Sequence, residues 1–122
     1  MTNPRSTCEN LLDTADLLLA GDLGATPAGR HRGAALALRT ALEIAVTRAV
    51  SRILPEDTRT TARARMLCLR FCVEPETARR AKAVWAHLCL GCHYHQYEIG
   101  PTRGQVLAWR EEVEELVREI SP

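Results

Sequence analysis

Residues 26–54, TPAGRHRGAALALRTALEIAVTRAVSRIL, contain the signals that decide the fold class. Thr26 is placed to cap a helix whose first residue is Pro27, where the missing N–H costs nothing, and Pro55 ends the segment. Between them Leu38, Leu42, Ala45, Val46, Ala49 and Ile53 recur at steps of three and four, so all six fall on one face. The pattern predicts one long helix from Pro27 to about Leu54. Its apolar stripe has to be covered by other elements of the chain.

Those elements announce themselves in the same way. Ser6 and Glu9 stand in capping-box register at the start of a first helix that Gly21 ends near Ala20. Asp57 caps a third, shorter helix through about Cys72, and a fourth runs from Pro75 to about Glu98, where Ile99-Gly100-Pro101 breaks it. Thr102 and Gln105 form a second capping box. They open a fifth helix with Val106, Trp109, Val113, Leu116, Val117 and Ile120 on its inward side. Short connections force neighbours to lie side by side, so residues 1–122 read as one all-α domain. The expected architecture is an antiparallel four-helix bundle with an additional helix, the first, packed alongside.

Composition agrees with this reading. Apolar residues make up 46% of the chain but aromatics only 4%, so the core is built from Ala, Leu and Val, which favours helices over sheets. The residues before Asp13 form no apolar h-region of an export signal, and no apolar run approaches a membrane span. A cytoplasmic protein is the expectation. There the five cysteines are reduced thiols or metal ligands rather than a disulfide framework.

Charge is distributed unevenly. Residues 30–82 hold twelve basic groups against five acidic ones, whereas both flanking segments are net acidic. Fifteen of the sixteen cations are Arg, the better bidentate partner of phosphate. A basic stripe on the second and third helices can attract RNA or an acidic protein partner; it can equally be a solvated surface.

The densest chemistry lies near the end of the fourth helix, in Cys89-Leu90-Gly91-Cys92-His93-Tyr94-His95. At 100° per residue, Trp85, Cys89, Cys92, His93 and Gln96 share one side, with His87, Tyr94 and Glu98 roughly opposite. Four uses are open to these residues. Cys89, Cys92 and His93 complete a C-x-x-C-H haem-attachment pattern, although that attachment takes place outside the cytoplasmic membrane. Cys68 and Cys72, with Cys89, Cys92 or His93, have spacings that would suit a zinc site between two helices. Arg80 and His87, six residues between them, form a pair suited to metal-independent acid/base chemistry on RNA. As a fourth use, the thiols simply fill the core, as buried cysteines commonly do.

Residues Arg79-Arg80-Ala81-Lys82-Ala83-Val84-Trp85-Ala86-His87-Leu88 and Cys92 through Thr102 resemble small actinobacterial helical proteins carrying the signature W-A-x-L-S-R-A-C-H-H-H-x-Y-E-L-A-P-T. The resemblance extends over most of residues 30–117. Those proteins are similar in turn to the HEPN superfamily, helical bundles that often dimerise and act in RNA cleavage, toxin systems or phage defence. Active members carry an Arg, four to six residues, and then a His. The resemblance therefore implies a HEPN-like homodimer with His95 as general acid/base and Tyr97 positioning phosphate or water. Two departures from the signature bear on its chemistry: Leu90 stands where it has Arg, and Cys89 where it has Ser. Without the Arg beside the scissile phosphate a ribonuclease is impaired unless Arg80 with His87 replaces it. A non-catalytic protein that binds RNA or a protein partner is the resulting expectation.

Overall fold

A computed structural model describes residues 4–21, 26–55, 59–92 and 100–120. They form five α-helices, α1 (Pro4–Ala20), α2 (Pro27–Val50), α3 (Ala62–Cys68), α4 (Pro75–Cys92) and α5 (Arg103–Ile120), with a 3-10 turn at Leu69–Phe71 and no strand among the described residues. Among the described residues no helix is long and apolar enough to cross a membrane.

The capping logic accounts for most helix ends. Thr26 Oγ1 accepts from the Gly29 amide at 3.1 Å, with Pro27 in the first turn. At α5 the box is reciprocal: Gln105 N–H donates to Thr102 Oγ1, and the Thr102 amide donates to Gln105 Oε1. Gly21 takes φ +80, the left-handed conformation that lets the chain leave α1.

Three boundaries differ from the sequence expectation. Helix α1 begins at Pro4, so Ser6, the expected cap, lies within the helix rather than at its end. Helix α2 stops at Val50 rather than near Leu54. The amides of Ile53 and Leu54 both turn back to the Val50 carbonyl, and Pro55 disfavours helical backbone just before it. Ile53 is therefore 49% exposed and leaves the apolar stripe. Helix α3 begins only at Ala62, capped by Thr61, whose Oγ1 accepts from the Ala64 amide. Asp57, the expected cap, lies outside the described residues, as do 93–99, where the fourth helix was expected to end.

Helix α2 is the axis of the molecule, packed by α1, α4 and α5 and at its C-terminal end by α3. Six of its ten buried residues are alanines, so neighbouring backbones come close. The Cys8 thiol, 2% exposed, donates to the Ala41 carbonyl at 3.3 Å, and Leu18 lies over Gly33, so α1 runs antiparallel to α2. With Cys8, Leu12, Ala15 and Leu19 all buried, α1 is a full member of the core rather than an appendage. The short, marginal helix is α3. Helix α4 is antiparallel to both α2 and α5, since Trp85 bonds Glu43, Thr77 bonds Glu119 and Gly91 meets Trp109.

Candidate functional site

Helix α4 buries Thr77, Ala78, Ala81, Val84, Leu88 and Gly91, which leaves two flanks of opposite character. One flank faces α5. There Arg80 Nε donates to Glu112 at 2.9 Å, its Nη1 donates to both carboxylate oxygens of Glu119, and Nη2 lies 3.4 Å from Glu115. The glutamates hold the guanidinium even more firmly protonated than usual, chiefly through the bond to Glu112. Three carboxylates around one cation leave no positive potential to offer a phosphate. On the same flank the His87 ring lies 6.3 Å from that of Trp109, tilted by 34°. Arg80 and His87 are two turns apart, about 10 Å along the axis, and each is occupied by a different partner on α5.

Gly91 explains how α4 approaches so closely at this end. A Cβ there would lie 2.9 Å from Cζ3 of Trp109 and 3.5 Å from Cβ of Ala35. Only a residue without a side chain lets the indole cross α4 at that depth. The Gly within the C-x-x-C segment thus has a packing role.

The other flank faces α2 and α3. Trp85 Nε1 donates to Glu43 Oε1 at 3.1 Å, and Arg39 Nε stands 3.8 Å from the same oxygen. Cys89 and Cys92 follow Trp85 on this flank, both partly exposed. Burial raises both thiols above the ordinary range, against the opposing pull of the nearby Arg39 charge. They are protonated at neutral pH. Cys68 and Cys72 lie elsewhere, at the junction of α3 with the 3-10 turn, where the Cys72 thiol points back to the Cys68 carbonyl at 3.9 Å. Among the described residues no three His, Cys, Asp or Glu side chains group closely enough to hold a metal ion. The two cysteine pairs are therefore separate, and His93, the remaining candidate zinc and haem ligand, lies outside the described residues. So do His95 and Tyr97.

Between α3 and α4 the chain leaves a groove of about 250 Å³, lined by Arg63, Met66, Leu67, Lys82, Trp85 and Ala86. Its lining holds two cations, an indole and no carboxylate. Neither Arg63 nor Lys82 makes an ion pair among the described residues, in contrast to Arg80. The charge of Arg63 reaches Cys89, which places the groove beside the thiol pair. At the 3-10 turn, Arg70 lies 4.8 Å over the ring of Phe71, itself 68% exposed.

This groove was not singled out from the sequence, although its signals were present. Lys82 is the only lysine in the chain, and Trp85 lies three residues after it on the flank away from Arg80. The pairing of Arg80 with α5 is a contact across 32 to 39 residues, and no local pattern reports it. His31 was also missed: its Nδ1–H donates to the Pro101 carbonyl at 3.1 Å, tying the start of α2 to the segment before α5.

Comparison of the chain with known protein families, with curated proteins and with solved structures returns no match.

Proposed function

We propose that this chain is a HEPN-like helical protein that binds single-stranded RNA through the groove between α3 and α4 and does not cleave it. The observation that carries the proposal is the composition of that groove: Arg63 and Lys82 beside Trp85, with no carboxylate among the lining residues. Single-stranded nucleic acid is held by cations that follow its phosphates and by aromatic faces on which bases stack. The absence of catalysis is supported by Arg80, whose charge is taken up by three glutamates, and by Leu90, 71% exposed at the position of the signature's Arg.

In the same reading the protein is a homodimer. On α2, Leu36, Thr40, Ile44 and Thr47 form an uncharged face that neither α1 nor α4 covers completely, edged by Glu43 and Arg48. Leu36 and Ile44 on an uncharged face suit pairing with an identical surface across a two-fold axis. Sedimentation equilibrium of the wild type and of Ile44→Glu tests this, with a dimer that becomes a monomer as the expected result.

Fluorescence anisotropy with a labelled single-stranded oligoribonucleotide tests the binding. Affinity should fall with rising salt, and Arg63→Glu with Lys82→Glu should lower it by tenfold or more, while Arg79→Glu leaves it nearly unchanged. Binding that survives the double reversal would move the interface elsewhere. A ribonuclease assay of the wild type, His95→Ala and His87→Ala proteins tests the absence of catalysis. Cleavage by the wild type that either variant loses would restore the enzymatic reading.

A further inference from the structure

Cys89 and Cys92 are left over by the RNA-binding proposal. They stand three residues apart in the last turn of α4, on the flank that faces α2, and both are partly exposed. Side chains at that spacing in a helix have their Cβ atoms about 5–6 Å apart. A disulfide needs about 3.8 Å, so the helix holds these thiols too far apart for one. The separation instead suits two sulfurs that turn towards a single ion between them.

Which ion fits follows from the number of ligands and from charge. Zinc in a structural site takes four ligands, and no third His, Cys, Asp or Glu joins this pair among the described residues. Two thiolates alone satisfy a soft, monovalent cation that accepts two-fold coordination, of which copper(I) is the biological example. Two thiols that exchange two protons for one such cation leave a centre with a single negative charge. Arg39, whose Nε lies 3.8 Å from the Glu43 oxygen that Trp85 also bonds, stands on this flank and its charge acts on both sulfurs, so it is placed to offset that charge; Arg63 adds a second positive field at Cys89, and Glu43 opposes them.

Cys68 and Cys72 are less suited. They are four residues apart across a change from α-helix to 3-10 turn, and the Cys72 thiol is turned onto the Cys68 backbone. We infer that Cys89 and Cys92 form a two-thiolate site for copper(I), with Arg39 as its charge-balancing neighbour. Trp85, one turn before Cys89, is a built-in optical reporter of occupancy.

The test uses the reduced full-length protein under anaerobic conditions, with copper(I) supplied as its bicinchoninate complex. The protein should withdraw a single copper(I) per chain, with quenching of tryptophan fluorescence. Cys89→Ser and Cys92→Ser should each lose at least about tenfold in affinity, the equivalent of about 1.4 kcal/mol, whereas Cys68→Ser and Cys72→Ser should behave as wild type. Iodoacetamide labelling of the wild-type chain read by mass spectrometry needs no variant: copper(I) should protect Cys89 and Cys92 and leave Cys68 and Cys72 reactive. Protection of the other pair, undiminished uptake by the Cys89 and Cys92 variants, or no withdrawal from the chelator would each overturn the proposal. None of these outcomes depends on whether the protein binds RNA.

Discussion

The two flanks of α4 are built from similar residues and do opposite things with them. Towards α5, Arg80 is surrounded by Glu112, Glu115 and Glu119, so a cation that reads as a catalytic candidate is consumed in holding two helices together. Towards α3, Lys82 stands two residues later without an ion pair among the described residues, next to Arg63 and Trp85 in a groove without carboxylates. Both belong to the same basic stretch of sequence. What separates them is the helix each one meets: α5 is rich in glutamate, whereas α3 carries no acid at all. A cation's availability is thus a property of the facing element rather than of its own neighbourhood in sequence.

The contrast breaks most strongly where the α5 flank is packed rather than charged. Gly91→Ala puts a methyl group 2.9 Å from the Trp109 ring and should cost about 1–3 kcal/mol, visible as a lower urea midpoint. Next is the open flank, where Arg63→Glu with Lys82→Glu should weaken oligoribonucleotide binding by tenfold or more, about 1.4 kcal/mol, and leave the urea midpoint close to wild type. A large loss of stability in that double variant would show that the groove's cations are structural too.

Arg80→Gln removes the shared partner of three glutamates, which then repel one another. Because the cluster is partly exposed, the expected loss is only about 1 kcal/mol, shrinking as salt is added. Its RNA affinity should be unchanged or slightly lower. The smallest effect concerns the thiols. Cys8, Cys72, Cys89 and Cys92 are all raised by burial, so the folded protein holds their protons more tightly than the unfolded chain. Their contribution is complete below the unfolded thiol pKa of about 8.5 and is lost as pH rises through the folded values. Thermal melts from neutral to alkaline pH should show a gradual decline in Tm, reduced in Cys8→Ala relative to its own neutral value.

Much of the fold was legible because its determinants are local. Thr26 with Pro27, Gly21, and Thr102 with Gln105 each fix a helix end within four residues, and the stripes of α2 and α5 follow from a period of 3.6. Where the reading slipped, the deciding contact was also short in range but conditional. Pro55 shortened α2 without any change in its apolar pattern, and Thr61, rather than a residue further upstream, capped α3.

The Cys/His cluster shows the other side. Helical periodicity alone separated Cys89 and Cys92 from His87, and the structure keeps them on different flanks. Periodicity has nothing to say about which flank meets glutamates, which meets Trp109, or whether Cys68 and Cys72 reach Cys89. The amino-acid sequence by itself determined an all-helical chain, because hydrogen bonding and capping act over one or two turns. Only the tertiary structure decided that Arg80 is neutralised, that Gly91 admits an indole and that Lys82 and Arg63 share a groove. Each of those outcomes depends on side chains from helices that are distant in sequence, and their charges and volumes meet only once the helices have packed.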